Sequence, residues 1–144
     1  MHGQRRMHGS CIARDNDAIL IVGPPGSGKS DLALRLLARG FALIADDQVD
    51  ITDGSASCPA ELAGLLEVRG IGIVRLPHRA QARLALAVEL GAQSDRLPRP
   101  AWFSDLRLPL VRIDAAAASA PERVILALDC ALGRIAQVAG AFAA

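Results

Sequence analysis

The sequence contains no tyrosine, one tryptophan and three phenylalanines, so aromatic side chains make up only 3% of its 144 residues. Hydrophobic residues nevertheless make up 51%, and a core must therefore be built from alanine, leucine, isoleucine and valine. No apolar run reaches the roughly 20 residues that a membrane span requires. The first ten residues carry positive charge but no following apolar stretch, unlike a signal peptide. We therefore expect one cytoplasmic domain over residues 1–144, with no membrane association.

Other classes of protein are disfavoured by what is scarce. The three cysteines (Cys11, Cys58 and Cys130) are odd in number and far apart, and they form no C-x-x-C pair. A zinc site and a disulfide framework are therefore not expected, and inert thiols are. The net charge of +1 also argues against nucleic acid as a partner, because that footprint normally needs a basic surplus.

Lysine is the scarcest charged residue, since Lys29 is the only one beside fifteen arginines. It lies in a segment that matches the phosphate-binding pattern G-x-x-x-x-G-K-[ST], formed by Gly23, Pro24, Pro25, Gly26, Ser27, Gly28, Lys29 and Ser30. Residues 18–22 before it are typical of a buried strand, and residues 31–39 after it of a helix. A compact ammonium fits between the β- and γ-phosphates of a nucleotide where a planar guanidinium does not. The sequence thus predicts ATP binding, with Ser30 placed to ligate Mg²⁺.

A second acid is normally needed near the metal, and two places compete for that role. Asp129 follows an apolar run, but Pro121-Glu122 upstream indicates a helix that continues beyond it, where a solvated position is the simpler interpretation. The pair Asp46-Asp47 ends the strand predicted after the phosphate-loop helix. It can therefore lie beside the phosphates, one acid holding the metal's waters while the other faces the acceptor.

The remaining pattern predicts a mixture of strands and one more helix. Strands are expected over 10–14, 41–45, 48–52, 83–90 and 106–113, with a turn at Asp53-Gly54 and a returning segment over 55–58. Pro109 favours an edge position for the last strand. We expect residues 69–74 to form a loop or short strand and 91–104 to form a long loop. A final helix is predicted from Pro121, capped by Ser119 and following the helical period to Ala139.

A longer signature indicates a family. Residues 65–73 read Leu-Leu-Glu-Val-Arg-Gly-Ile-Gly-Ile, and they follow Met7-His8-Gly9, the phosphate loop with Asp31, and Ala45-Asp46-Asp47 in that order. From Met7 to about Leu97 the chain closely resembles the catalytic domain of the bacterial HPr kinase/phosphorylase family. The resemblance implies an α/β fold, a mixed sheet with flanking helices and a phosphate loop, like that of PEP carboxykinase. It implies one C-terminal-type catalytic domain over 1–144.

The resemblance also assigns roles. Lys29 would stabilise the phosphoryl group in transfer, and Ser30 and Glu67 would ligate Mg²⁺. Asp47 matches the catalytic aspartate that accepts the serine proton, with Asp46 supporting it.

Two further positions take a role from the resemblance alone. His8 matches a histidine near the phosphates, and Arg96, in Asp95-Arg96-Leu97, a catalytic arginine. The implied cofactors are ATP and Mg²⁺, the implied partner is an HPr-like phosphocarrier protein, and self-association into the family's hexamer is implied as well.

The chain also departs from the family. The F-G-A-G-A stretch is replaced by Arg75-Leu76-Pro77-His78-Arg79, and the P-V-x-x-G-R-N stretch linked to the reverse reaction has no good counterpart. Phosphorylation is therefore better supported than phosphorolysis. A small-molecule kinase and a non-catalytic ATP sensor are the alternative interpretations.

Overall fold

Nine of eleven strands form one mixed sheet in the computed structural model, which describes residues 4–92, 95–103 and 106–143. The strands are β1 (Gln4–His8), β2 (Ser10–Arg14), β3 (Asp17–Val22), β4 (Ala42–Ala45), β5 (Gln48–Thr52), β6 (Ser55–Ser57), β7 (Leu65–Val68), β8 (Gly72–Arg75), β9 (Gln81–Leu90), β10 (Trp102–Phe103) and β11 (Leu108–Ile113). The helices are α1 (Lys29–Leu37) and α2 (Ala120–Ala131), with a short 3₁₀ turn at Ala60–Leu62. Among the residues described, strands β7 and β8 pair only with each other, as a separate hairpin.

The sheet order is β1-β5-β6-β9-β3-β2-β4, and β11 pairs with β9. Strand β9 runs parallel to β3 and to β11. Val22 pairs with Glu89, and Leu90 with Ile113, so the carboxyl ends of these three parallel strands lie side by side along one edge of the sheet. In parallel sheets this edge is the usual place for a ligand site, and the phosphate loop starts there, directly after β3.

Apolar side chains pack on both faces of the sheet. Both helices lie on one face, where Leu32 and Leu36 of α1 and Val124 and Leu128 of α2 are fully buried. Within each helix the two residues are four positions apart and therefore lie on the same face. Burying each side chain stabilises the fold by about 1.5–3 kcal/mol. The opposite face buries smaller residues with Leu20, Ile44, Val49 and Ile51. The aliphatic core expected from the composition is confirmed.

Most of the predicted elements are present. The helix after the phosphate loop is confirmed, and Asp53-Gly54 turns the chain with both φ angles positive (51° and 81°), the combination that a tight hairpin turn requires. Pro109 faces Trp102 of β10 and lies outside residues 110–113, which pair with β9. Within the described part of the long 91–104 segment, β10 forms a short strand that was not predicted.

The predicted extent of the last helix is wrong. Helix α2 ends at Ala131 rather than near Ala139, because Gly133 adopts a left-handed φ of 74° and the Arg134 amide turns back to the Asp129 carbonyl at 2.9 Å. Ser119 occupies the N-cap position, but its hydroxyl accepts a bond from Arg123 Nε instead of capping the backbone. Neither described helix has the length and apolar character needed to span a bilayer.

Asp129 lies on α2 and does not reach the phosphate loop. Its carboxylate accepts a 2.6 Å bond from the Arg14 guanidinium, and both side chains are mostly buried. Asp129 is therefore neither a metal ligand nor a solvated helix position but part of an ion pair that links α2 to β2.

Candidate active site

The phosphate loop leaves β3 at Gly23 and enters α1 at Lys29. Gly26 and Gly28 have φ angles of 78° and 100°, in the left-handed region that favours glycine. Gly28 is the N-cap residue of α1, and its carbonyl accepts the Leu32 amide at 2.9 Å. The amides of the first helical turn are left without partners inside the helix, and together with the helix dipole they favour an anion at this point.

Lys29 reaches back across this loop. Its ammonium donates to the Gly23 carbonyl at 2.9 Å and to the Pro24 carbonyl at 3.1 Å. Only 9% of the residue is exposed. The positive charge is thus held against the loop whose amides would receive phosphate.

Asp46 is buried and bound to the phosphate-loop helix. Ser30 Oγ donates to its two carboxylate oxygens at 2.8 and 3.0 Å, and Ser10 Oγ donates to Oδ1 at 2.6 Å. Charge-assisted hydrogen bonds of this kind are about twice as strong as neutral ones. Asp46 is therefore fixed in place and is not open to a macromolecular substrate.

A β-bulge explains why Asp46 faces the helices. Ile12 of β2 pairs with Leu43, but the next residue, Cys11, pairs with Ala45, so Ile44 is the extra residue in β4. Ile44 and Ala45 both pack on the face away from the helices. Because side chains normally alternate along a strand, this extra residue turns Asp46 to the opposite face, toward α1.

Asp47 has the opposite environment. Its side chain is 63% exposed, its φ angle is 73°, and its Oδ1 lies 3.3 Å from Nδ1 of His8. Non-glycine residues at positive φ are uncommon, and aspartate and asparagine are among those that tolerate it. The expected divergence of the two acids is confirmed, with Asp46 inside and Asp47 at the surface.

Gly9 fixes the backbone next to this pair. Its amide donates to the Asp47 carbonyl at 3.1 Å. A Cβ added at Gly9 would lie 2.8 Å from the Ile21 carbonyl oxygen, closer than any real contact allows. The glycine of the His8-Gly9 motif is thus required by packing against β3.

Gly9→Ala is therefore expected to lower the free energy of unfolding by about 1–3 kcal/mol, the usual cost of overpacking. Urea denaturation measures the change. Gly91→Ala is the matched control, because its Cβ would meet only the Arg112 side chain at 3.6 Å. Equal unfolding free energies for the two variants would contradict the close approach at Gly9.

The β7–β8 hairpin supplies the other wall of the site. The phosphate loop, the acid pair and the hairpin line one cavity of about 620 Å³. Nine predicted site residues line it: His8, Pro25, Gly26, Gly28, Lys29, Ser30, Asp46, Asp47 and Glu67. Of the segment predicted as a loop or short strand (69–74), residues 69–71 form the turn of this hairpin and 72–74 lie in β8. Glu67 lies on β7 and lines the cavity together with the phosphate loop.

Four predicted site residues do not line the cavity. Gly23 and Pro24 contribute through their carbonyls to Lys29, and Ser27 Oγ is buried without a hydrogen-bond partner. Arg96 is exposed and does not line the cavity. Its role stays a prediction from the resemblance.

Sequence reasoning missed Ser10 and assigned no role to Arg69, which also line the cavity. Arg69 belongs to the signature quoted above, so its position was available as a signal. Ser10 stands at the start of an apolar strand, where its sequence context gives no indication of a partner 36 residues away.

The oxygen donors of the cavity fit a magnesium ion in chemical type. The Ser30 hydroxyl and the exposed Glu67 carboxylate are hard oxygen ligands, and Mg²⁺ typically takes one or two protein groups while phosphates and water complete its shell. The described residues hold no cluster of three or more His, Cys, Asp or Glu side chains that would bind a metal alone. This donor set suits a metal that arrives with a nucleotide.

None of the three cysteines lines the cavity. All three are free thiols, and Cys11 is fully buried. Burial raises the pKa of the Cys58 thiol, and the charges of Asp50, Glu61 and Asp46 raise it further. Because a thiolate is the nucleophilic form, the raised pKa disfavours reaction at Cys58, in line with the expected inert thiol.

Known proteins share the sequence that forms this site. The model of the HPr Serine kinase C-terminal domain family matches residues 1–93. HPr kinase/phosphorylase of Cupriavidus metallidurans is 37% identical over 130 residues, which cover 77% of this chain and 40% of that protein. The same-named protein of Xylella fastidiosa is 46% identical over 79 residues, covering 50% of this chain and 24% of its own length.

A solved structure supports the fold. The Hpr(Ser) kinase/phosphatase from Coxiella burnetii superimposes with a TM-score of 0.74 at 23% identity, over 90% of this chain and 98% of that chain. The expected α/β fold with a mixed sheet and flanking helices is confirmed. The matched segments span between about a quarter and two fifths of these two curated relatives. Because the family model matches residues 1–93, well over half of this chain, the chain belongs to the HPr Serine kinase C-terminal domain family.

Proposed function

We propose that this chain transfers the γ-phosphoryl group of ATP to a serine of an HPr-like phosphocarrier protein of a phosphotransferase system. The proposal takes residues 1–144 as one catalytic unit. The observation that carries it is the single cavity in which the phosphate loop, the Asp46-Asp47 pair and the β7–β8 hairpin meet. The names of the curated relatives support the acceptor class.

Nucleotide binding falls to the loop and Lys29. The amides of Gly26 to Ser30 and the start of α1 receive the phosphates, and the Lys29 ammonium stabilises the negative charge of the phosphoryl group as it moves. Such catalysis consists mainly of positioning and electrostatics, because the protein forms no covalent bond to the phosphorus.

The proton of the acceptor falls to Asp47. Asp47 is exposed and can approach a serine on another protein, whereas Asp46 is enclosed by Ser10 and Ser30. Asp47 takes the hydroxyl proton as the serine oxygen bonds to the γ-phosphorus and ADP leaves. His8, 3.3 Å away, holds the carboxylate in the cavity.

Ser30 and Glu67 would hold Mg²⁺, with Asp46 positioning Ser30. The metal supplies charge neutralisation of the phosphates. By the family resemblance, Arg96 would clamp the transferring group and the chain would form a homo-oligomer. The reverse dephosphorylation belongs to the same proposal: the protonated Asp47 returns its proton to the serine oxygen as the serine–phosphorus bond breaks, and inorganic phosphate accepts the phosphoryl group.

A direct assay tests the proposal. The chain is incubated with Mg-ATP and the host's HPr-like carrier, and phosphoserine is mapped by mass spectrometry, with the carrier's serine-to-alanine variant as the matched control. One phosphoserine that this control lacks is the expected result. Phosphorylation of a metabolite instead of the carrier would establish a small-molecule kinase, and tight ATP binding without transfer would establish a sensor. Either outcome would overturn the proposal.

A further inference from the structure

Ser10 makes the shortest hydrogen bond to the acid pair, although no sequence motif includes it. The residue is 1% exposed, and its hydroxyl donates to Asp46 Oδ1 at 2.6 Å. We infer that Ser10 is a positioning residue that holds Asp46 so that Asp46 can orient the Ser30 hydroxyl. This inference rests on the proposed function, since it concerns how the same site handles a magnesium nucleotide.

The strand register explains how Ser10 reaches Asp46. Because the bulge in β4 pairs Cys11 with Ala45, the next antiparallel position places Ser10 opposite Asp46. Regular pairing without the bulge would instead place Cys11 opposite Ile44 and Ser10 opposite Ala45. The bulge thus turns Asp46 toward α1 and also places a buried hydroxyl beside it.

The hydrogen-bond donors define what Ser10 does. A serine hydroxyl has one proton and two lone pairs. Ser30 gives its proton to Asp46, so its lone pairs are left for a cation in the cavity. Ser10 also gives its proton to Asp46, but it lies on β2 and does not depend on the phosphate loop. The bond from Ser10 therefore holds Asp46 independently of the phosphate loop.

Ser10→Ala tests this role through ATP binding, measured by calorimetry with and without MgCl₂. Mg²⁺ is expected to increase ATP affinity, and in this variant we expect that increase to be about fivefold smaller. A change of this size lies within the range of coupling energies between side chains that share a hydrogen bond. ATP affinity without Mg²⁺ should stay within about twofold, because Lys29 and the loop amides are untouched. The kcat for transfer should fall about tenfold with a smaller change in KM, since the defect concerns orientation. Ser10→Thr, which restores the hydroxyl, should recover most of both losses.

A double-mutant cycle with Asp46→Asn separates positioning from general destabilisation. In the D46N background, Ser10→Ala should change the Mg²⁺ effect less than about 1.5-fold, because the carboxylate that Ser10 holds is already absent. Ser57→Ala, a partly buried serine in β6, is the matched control for losing a hydroxyl from the sheet.

The two proposals fail in different ways. If the wild type phosphorylates the carrier and S10A matches it in both kcat and the Mg²⁺ effect, Ser10 is not a positioning residue while the function stands. Equal effects of S10A in the wild-type and D46N backgrounds also overturn it. If the wild type transfers no phosphate, the proposed function fails, and the calorimetric cycle alone decides on Ser10: coupling supports the inference and additivity overturns it.

Discussion

Lys29→Ala is expected to weaken ATP binding at least about tenfold and to lower phosphoryl transfer by about 10²–10³-fold, the usual effect of removing one electrostatic donor from a transition state. Lys29 is the only lysine in the chain, and its ammonium is already held by the Gly23 and Pro24 carbonyls. Titration calorimetry and a labelled-ATP assay measure the two effects. Arg39→Ala is the matched control, because this cation lies on the surface just beyond α1 and pairs with Glu122 outside the cavity.

Lys29→Arg distinguishes charge from shape. The variant keeps the positive charge but replaces a compact ammonium, which donates to both loop carbonyls, with a planar fork that does not fit between the β- and γ-phosphates. We expect it to lose most of the activity that Lys29→Ala loses. Unchanged ATP affinity and turnover in Lys29→Ala would remove the basis for the nucleotide site and for the whole proposed function.

The single lysine also allows phosphate binding at the loop to be observed directly by NMR. Selective ¹⁵N-lysine labelling gives one backbone amide signal, and in this structure it belongs to the first residue of α1. A shift of that signal with ATP, and none with adenosine, would locate the phosphates at the helix N-terminus.

The phosphate loop could be predicted because its parts are contiguous. Residues 23–30 form the turn, the strand before them feeds it, and the helix after them completes it. Each of these features depends on short-range rules for glycine, apolar runs and helix starts. The aliphatic core could equally be predicted from composition. With few aromatic residues available, the side chains buried on the two faces of the sheet had to be mainly aliphatic.

The relation between Asp46 and Asp47 could be predicted only in part. Adjacent residues on an extended chain point in different directions, and the sequence indicated as much. Which of the two is buried toward α1 depends on the bulge at Ile44, and that bulge exists only in the pairing of β4 with β2. A pairing between strands some 30 residues apart leaves no local signature, so Ser10 was missed for the same reason.

Two errors arose from interpreting local pattern as tertiary structure. The apolar period from Ile125 continues past Ala131, but Gly133 and a turn end the helix there. The sequence indicated a solvated helix position for Asp129, yet its carboxylate is mostly buried and pairs with Arg14, 115 residues away. Periodicity did not predict either result: a glycine ended the helix, and a distant cation paired with the aspartate.

Asp47→Asn is expected to leave ATP affinity within about twofold of the wild type while lowering transfer to the carrier by about 10²–10⁴-fold, the usual contribution of a general base. Asparagine is nearly the same size as aspartate and tolerates the φ of 73° at this position, so the fold should be retained. What the variant loses is the carboxylate that accepts the serine proton beside His8.

Asp15→Asn is the matched control for this prediction. Asp15 is also exposed and also lies at positive φ (54°), but in the turn between β2 and β3, away from the cavity. Full transfer by Asp47→Asn, measured with radiolabelled ATP and the phosphocarrier, would remove Asp47 from the mechanism. Loss of ATP binding in the same variant would show instead that Asp47 supports the loop, because a general base acts on the acceptor and not on the nucleotide. Only intact binding with lost transfer assigns the exposed acid to catalysis and leaves the buried acid to hold Ser30.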